Sequence, residues 1–260
     1  MKMAKFSKFG LSVIAGSALF AMQASAGIIT PGNPLGWAGY TYYGSTGTDP
    51  GTGASAAITG TYARSGNGSA QLHLDDNLTS EADWAITFGG SASYGLSSLS
   101  TLSYDWYRSS TSTTNGIVAP SFALGMTDGT YLIYEYAYNH TGNPAADVWT
   151  TENILDGIWW STGNGTGSCA RYGAFTTLSA FNTNCFSGDG SFDTLDMFMG
   201  YAYSGTFDGA VDNVVMTVVG GPSLNANFEL DQTSVVPEPV SFALVAAGLL
   251  GIVAIRRRKR

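Results

Sequence analysis

Residues 100–108, which run Ser-Thr-Leu-Ser-Tyr-Asp-Trp-Tyr-Arg, decide the fold class of this chain. Large apolar side chains at Leu102, Tyr104 and Trp106 occupy alternate positions, with smaller or more polar residues between them. Successive side chains of a β-strand point to opposite faces of its sheet. The stretch therefore predicts a strand with one face in the core and the other toward solvent.

The same alternation recurs along the chain, and no long stretch between the two ends has a helical period. Long candidate strands span residues 122–126, 132–138, 195–203 and 211–219, and shorter ones span 37–43, 56–62, 69–74, 83–88 and 147–151. Asp128-Gly129 predicts a hairpin turn, and residues 177–181 a short helical turn. Many short strands separated by Gly, Asn, Asp and Ser predict an all-β antiparallel sandwich of jelly-roll type.

Both ends of the chain have the properties of targeting segments. Three lysines precede a mostly apolar run at 10–22, and Ala24-Ser25-Ala26 fits a signal peptidase site, so residues 1–26 predict a signal-peptide helix. Residues 240–255 carry no charge and would extend about 24 Å as a helix, slightly short of a bilayer core of about 30 Å. We expect a transmembrane helix there.

The carboxyl end of the chain consists of three segments in a fixed order. Val236-Pro237-Glu238-Pro239 precedes the apolar span, and Arg256, Arg257, Arg258, Lys259 and Arg260 follow it as a membrane stop. Together they resemble the PEP-CTERM sorting signal of Gram-negative bacteria. The resemblance implies processing by an exosortase and a link with exopolysaccharide. It also implies a membrane-anchored precursor that reaches the cell surface or extracellular matrix.

These segments divide the chain into a signal peptide at 1–26, a sandwich at 27–221, a linker at 222–235 and a sorting signal at 236–260. Within the linker, residues 224–228 allow one short added strand. Segments 102–108, 131–135 and 204–214 resemble other secreted PEP-CTERM β-sandwich proteins. The run Val211-Asp212-Asn213-Val214 is similar to the last strand of lectin-like and carbohydrate-binding jelly rolls, which bears on fold more than activity.

Charge and cysteines narrow the partners and the compartment. Between the two ends stand three arginines, no lysine and eighteen carboxylates, a formal charge near −15. Such a surface repels nucleic acid and anionic lipid. Cys169 and Cys185 predict a disulfide in an exported protein; the alternative is a pair of free thiols at a metal or redox site.

Motifs of common enzymes are missing from the sequence, which predicts no catalytic residues. There is no GxSxG, HExxH or Walker loop, and His73 and His140 fall in separate segments, one on a strand and one at a turn. Glycoside hydrolysis needs two carboxylates across one bond. Glu135 and Asp105 are candidates for that pair, unless both face solvent or pair with Arg108.

Glycan binding has better candidates, because sugars stack on flat aromatic faces. One candidate platform is the tyrosine ladder Tyr134, Tyr136 and Tyr138, and the other is the pair Trp159-Trp160. The alternative is that these rings fill the core. At least one of the adjacent tryptophans should be buried, since neighbours on a strand point opposite ways.

Calcium is the metal that the acidic residues fit best, since it takes six to eight oxygen ligands. One candidate set is Asp189, Asp193 and Asp196, and another combines Asp75-Asp76 with Glu81 and Asp83. Turn-forming or solvated aspartates explain the same residues, and no other cofactor is expected.

Taken together, these features favour an exported, non-enzymatic β-sandwich at the surface or in the matrix, with exopolysaccharide as its ligand. Two other readings stay open: a carbohydrate-active hydrolase on the same fold, and a purely structural adhesion or biofilm protein. Exosortase and signal peptidase are the expected processing partners, and the membrane holds the precursor.

Overall fold

The computed structural model describes residues 26–43, 53–76, 80–89, 92–163, 166–200 and 203–231. The predicted β-sandwich is confirmed: two seven-stranded sheets pack against each other, with antiparallel pairing throughout except at β1. The predicted leader helix, the span 240–255 and the sorting signal 236–260 lie outside the described residues. Within those residues, no helix has the length and apolarity needed to cross a bilayer.

The chain passes repeatedly between the two sheets and adds one or two consecutive strands to a sheet each time. Sheet I contains β1 (Ala26–Ile29), β3 (Ala54–Thr59), β4 (Ser69–Leu74), β7 (Leu99–Arg108), β10 (Trp149–Asn153), β13 (Phe207–Val218) and β14 (Ser223–Phe228). Sheet II contains β2 (Trp37–Tyr43), β5 (Ser80–Thr87), β6 (Tyr94–Gly95), β8 (Ser121–Met126), β9 (Tyr131–Tyr134), β11 (Trp159–Ser161) and β12 (Ser191–Gly200). Two short helices, α1 (Tyr136–Asn139) and α2 (Leu178–Cys185), lie in connections.

The core lies between the sheets and follows the predicted alternation. Leu102, Tyr104 and Trp106 of β7 are fully buried, and they meet the inward side chains of sheet II, such as Phe122 and Leu195. The Asp128-Gly129 turn joins β8 to β9 as predicted, with Gly129 at a positive φ of 84°.

Strand β13 organises sheet I because it changes partner half-way along one edge. Its first half pairs with β4 and its second half with β14, while β7 runs along the other edge. The register against β7 shifts after Asp212, where Asn213 adopts a φ of 47°. This bulge bends the strand and separates its two partners.

The predicted boundary at residue 221 is wrong, because β14 belongs to the sandwich. Phe228 is fully buried, with its ring centroid 5.3 Å from that of Trp37 and 5.5 Å from that of Trp84. Gly220-Gly221-Pro222 forms a tight turn, closed by the hydrogen bond from Val218 N to Pro222 O, rather than ending the domain. The sandwich therefore reaches at least Phe228, and the predicted linker begins later.

The predicted disulfide between Cys169 and Cys185 is present, with the two Cα atoms 5.4 Å apart. It ties the loop after β11 to the last residue of α2. That helix begins after Thr177, whose hydroxyl accepts a hydrogen bond from the Ala180 N–H and caps the helix.

Candidate functional site

The outer face of sheet II, which points away from the core, carries a row of side chains that crosses five strands. Strand register places Ala85, Asp196, Ala123, Ile133 and Trp160 side by side on β5, β12, β8, β9 and β11. We call this set the central row. In the half of the row nearer β5, Ala85 and Ala123 flank the carboxyl group of Asp196. At the β11 end stands the Trp160 ring.

Larger side chains border the central row, and Phe198 packs against Ala123, Ile133 and Trp160, which are 1%, 6% and 5% exposed. We call the strip along the central row the trough. Tyr131 lies on one side and Phe198 on the other, and Tyr131 is 40% exposed. Gly125, which pairs with Tyr131, has no side chain, and a Cβ atom at that position would stand only 2.8 Å from the Cβ of Thr194.

An exposed group of rings stands at the β11 end of the trough. The Trp160 ring stacks on Tyr172 with centroids 4.2 Å apart, and Phe175 lies 6.5 Å from Tyr172 and 4.5 Å from Tyr138. Tyr138, Tyr172 and Phe175 are 46%, 49% and 43% exposed. We call these four residues the aromatic cluster. Three large rings grouped in solvent are a mark of a binding surface rather than of core packing.

Glu135 anchors the aromatic cluster from below. The Trp160 indole N–H donates to its Oε1 at 2.8 Å, and the Tyr203 hydroxyl donates to its Oε2 at 2.9 Å. Burial raises the pKa of Glu135, and the two hydrogen bonds act in the opposite direction. Both carboxylate oxygens serve as acceptors, so these two hydrogen bonds favour the ionised form, but the effect of burial is larger and the net pKa is raised.

A second group of carboxyls lies at the other end of the trough. Asp83 and Glu81 are on β5 and Asp196 is on β12, with Asp83 only 2% exposed. Burial raises the pKa of Asp83 to about 11, and the charges of Asp196 and Glu81 add to the effect. Burial also raises the pKa of Asp196, to about 8, and the charge of Glu81 makes a smaller contribution in the same direction.

The predicted tyrosine ladder is not formed, because the strand ends at Tyr134. Tyr134 is buried and its hydroxyl donates to Glu152, while Tyr136 stacks on the His140 ring at 4.2 Å. Tyr138 alone of the three is exposed and joins the aromatic cluster.

Asn139 explains why alternation in the sequence fails to continue as a strand. Its side-chain amide donates to the carbonyls of Glu135 and Ile158, and its side-chain oxygen accepts from the Ile158 N–H. Asparagine side chains compete with sheet hydrogen bonding in this way. The backbone turns into α1 after Glu135, and the tyrosines lose their common face.

Both predicted tryptophans are buried, but in different places. Trp159 is part of the main core and its indole N–H donates to the Ile154 carbonyl at 3.1 Å. Trp160 points to the outer face and is covered by Tyr172. Tyr172, Phe175 and Tyr203 were missed as site residues by the sequence analysis. Tyr172 and Phe175 are isolated aromatics between the two cysteines, and Tyr203 ends the candidate strand 195–203.

The proposed pairing of Glu135 with Asp105 for catalysis does not occur. Asp105 is on β7 of sheet I, where it accepts hydrogen bonds from Arg64, Thr151 and Asn213. Packed sheets are about 10 Å apart, and these carboxyls lie on opposite outer faces, too far apart to flank one bond. Arg108 is in the interior, where it donates to Thr114 and Val118.

Both histidines lie where the sequence predicted them, one on a strand and one at a turn, and each contacts a carboxylate. His73 lies on β4 with its ring nitrogen 2.8 Å from the Asp208 carboxylate, and His140 follows α1 with its ring nitrogen 2.8 Å from Glu152. The two rings are on separate elements and share no partner.

Neither predicted set of calcium ligands is brought together as a whole, although Glu81 and Asp83 of one set lie near Asp196 of the other. Asp189 accepts hydrogen bonds from Ser97 and Asn182, whereas Asp193 accepts from Thr194 and Asp196 lies in the central row. In the other set, Asp75 and Asp76 accept from Ser80 and Gly205. In the described part of the chain, no three His, Cys, Asp or Glu side chains are arranged to hold a metal ion.

Comparison with protein families identifies the carboxyl end. Residues 235–259 match the family described as the PEP-CTERM protein-sorting motif. The chain carries this sorting motif. It marks an exported protein that is sorted to the cell envelope and implies processing by an exosortase, which confirms the sorting signal expected at the carboxyl end. The match covers about a tenth of the chain, and a search of curated proteins found no match.

Solved structures similar to the sandwich include a β-1,2-glucanase from Parabacteroides distasonis, 15% identical with a TM-score of 0.40. The similarity covers 69% of this chain, which spans 23% of the glucanase. A family 11 carbohydrate-binding module of a Clostridium thermocellum cellulosomal cellulase is 14% identical with a TM-score of 0.38, over 73% of this chain and 89% of the module. A structure of the family 11 module from Clostridium thermocellum in complex with a β-1,3-1,4-mixed-linked tetrasaccharide is 12% identical with a TM-score of 0.39. That similarity covers 71% of this chain and 90% of the module. Likenesses at this level do not bear on function.

Proposed function

We propose that this protein binds a polysaccharide outside the cell, along the outer face of sheet II, and does not cleave it. The observation that carries the proposal is the aromatic cluster, with three exposed rings at the end of a trough that crosses the sheet. Export through the PEP-CTERM motif supports a place at the cell surface or in the matrix, with exopolysaccharide as the ligand.

The chemistry of the face supports sugar recognition. Flat ring faces pack against the C–H groups of a pyranose, and nearby polar groups bond its hydroxyls. Tyr172 and Phe175 supply exposed rings, and Thr87 and Thr194 supply a pair of hydroxyls 3.1 Å apart at the border of the trough. Trp160 and Glu135 hold the cluster in place from below, so little side-chain freedom is lost on binding.

The geometry of Glu135 supports binding without hydrolysis. A glycosidase needs a carboxylic acid that keeps its proton and delivers it to the leaving oxygen. Both oxygens of Glu135 instead accept hydrogen bonds from protein donors, Trp160 and Tyr203, which ties the carboxyl to the rings of the cluster. Its structural role is to fix the rings.

The test uses the full chain purified in a sugar-free non-ionic detergent and applied to a glycan array. Tyr172→Ala should weaken binding of the recognised glycan about tenfold, since one stacking partner is lost. Tyr62→Ala is the matched control, because Tyr62 stacks on Tyr107 at 4.6 Å on sheet I. Equal loss in both variants, or silence on every glycan, would contradict the proposal and favour the adhesion role.

Hydrolysis is checked on the same glycan by assaying new reducing ends after prolonged incubation. No increase over the buffer control is expected. An increase that Glu135→Gln abolishes would establish the alternative, a carbohydrate-active hydrolase.

A further inference from the structure

The outer face of sheet II is acidic and has no positive side chain of its own. Its strands contain no Lys, Arg or His, whereas Glu81, Asp83 and Asp196 project from β5 and β12. The described arginines lie elsewhere: Arg64 bonds Asp105, Arg108 is in the interior, and Arg171 lies over Tyr172 beyond the β11 end.

Asp83 lacks the partners that a buried carboxyl normally has. It is 2% exposed, and neither of its oxygens accepts a hydrogen bond from a donor among the described residues. Oδ1 of Asp196 is in the same condition. The polar neighbour of Asp83 is the carboxyl of Glu81, and two carboxyls form a hydrogen bond only when one holds a proton. Buried polar groups without a partner are rare in folded proteins, and each calls for a physical explanation, of which a cationic ligand is one.

We propose that the glycan bound on this face carries protonated amino groups, one of which docks among Glu81, Asp83 and Asp196. This deepens the proposed function and rests on it. An ammonium group supplies three N–H donors and a positive charge, which together satisfy the three acceptors that lack donors. De-N-acetylated amino-sugar polymers are the class of polysaccharide with this chemistry.

The arrangement of the site selects an ammonium over a metal ion, and a polymer over a single sugar. No described group of three acidic, His or Cys side chains has the geometry to hold a metal. Asp196 and Trp160 are three strand spacings apart in the central row, about 14 Å at ~4.8 Å per strand. A ligand that contacts both the acidic group and the aromatic cluster must therefore contain several sugar units.

Proton release is the signature of this site. In the free protein the raised pKa values of Asp83 and Asp196 keep both groups largely protonated near neutrality. An arriving ammonium favours the charged carboxylates and expels those protons. Three other titratable groups face this one: Asp193, the Tyr131 hydroxyl, and Tyr40 of β2, which lies opposite Asp83. Burial and then the charge of Asp196 raise the pKa of Tyr131, so this tyrosine stays neutral.

Calorimetry on the full chain compares two oligosaccharides of matched length at about pH 6: glucosamine units against N-acetylglucosamine units. We expect the glucosamine oligomer to bind at least about tenfold more tightly. Titrations in two buffers of different ionisation enthalpy should show protons released on binding. The double variant Asp83→Asn/Asp196→Asn should lose both the preference and the proton release.

The matched control is Asp208→Asn, which removes one carboxylate from a strand of sheet I. It should keep the preference, and thermal unfolding of each variant verifies the fold. Equal affinity for both oligomers, or an unchanged preference in the double variant, would overturn the inference while leaving glycan binding intact. Loss of all binding by the native chain would refute the proposed function itself. Calcium binding that the double variant abolishes would replace the ammonium with a metal.

Discussion

Asp83 shows how one residue can lower the stability of a fold that contains it. The ordinary pKa of an aspartate is 3.8, and burial in the sandwich raises that of Asp83 to about 11. A carboxyl whose folded pKa is raised binds more protons in the folded than in the unfolded state, so its contribution becomes less favourable as pH rises above about 4. Asp83 therefore penalises folding throughout the neutral range.

Asp83→Asn should raise the free energy of unfolding at pH 7 by on the order of 1 kcal/mol, or about 2–4 °C in Tm. The amide matches the shape of the protonated acid and needs no proton from solvent. Thermal unfolding between pH 5 and 8 gives the measurement, and the gain should grow with pH.

Asp147→Asn serves as the control of opposite sign. Hydrogen bonds from Ser110 lower the pKa of Asp147, and the Tyr107 hydroxyl adds to them. A lowered pKa stabilises the fold above about pH 4, so this variant should be less stable at pH 7 and differ less at acid pH. A gain in both variants would show that general charge removal, rather than burial of Asp83, controls the stability.

Sequence reasoning succeeds at residues where burial alone decides and fails where a single polar side chain redirects the backbone. Leu102, Tyr104 and Trp106 follow their alternation into the core. The alternation through Tyr134 and Tyr138 is equally regular, yet Asn139 turns the chain into α1. Hydrogen bonds of one side chain across 19 residues, as between Asn139 and Ile158, leave no trace in local periodicity.

At the scale of elements, the disulfide determines where the exposed rings are. Tyr172 and Phe175 lie between Cys169 and Cys185, in a segment with no strand of its own. Closing the segment onto α2 holds Tyr172 over Trp160. Sequence analysis found the bridge but not its consequence, because the fold of an irregular loop depends on contacts distant in sequence.

Cys169→Ser/Cys185→Ser should lower the free energy of unfolding by about 3 kcal/mol, since the bridge closes a loop of 16 residues. Glycan affinity should fall as well, because Tyr172 loses its fixed position. Denaturant unfolding and the glycan titration give the two values. The control is Thr177→Ala, which removes only the cap of α2 and should lower the free energy of unfolding by about 1 kcal/mol without changing glycan affinity. Unchanged glycan affinity in the cysteine variant would exclude the loop from the site.

Strand β14 gives a second prediction at this scale. A chain truncated after Gly221 loses Ala226 and Phe228, both fully buried, and should not fold. A chain truncated after Asp231 keeps them and should fold. Circular dichroism and the fluorescence of Trp37 and Trp84, which contact Phe228, distinguish the two. A folded first chain would restore the boundary predicted at 221.

For the whole molecule, sequence predicted the two-sheet fold and the sorting tail but not the binding face. The prediction of fold class uses a pattern repeated in many strands, and the prediction of the tail uses one contiguous motif. Both predictions therefore hold even when single strands are assigned wrongly. The outer face combines side chains from β5, β12, β8, β9 and β11, and strand order cannot be read from periodicity.

The sorting motif carries the remaining prediction. Replacing Pro237-Glu238-Pro239 with alanines should leave the protein in the membrane fraction, because an exosortase would lose its recognition sequence. Fractionation and immunoblotting compare membrane and medium. Replacing Ser234 with alanine, just before the matched segment, is the control, and release at the native level by the first variant would argue against processing at this sequence.

Strand β1 pairs in parallel with β14, and the Glu229 N–H donates to the Ile29 carbonyl at 2.8 Å. The first strand of the sandwich can therefore pair only after the last strand is available. A chain threaded outward amino end first exposes β1 as an open edge until residue 228 has emerged. From there to the start of the sorting motif at 235, seven residues reach at most about 25 Å. With the predicted span 240–255 in the bilayer, we expect β1 and β14 to pair close to the membrane surface, so that the sandwich is completed there.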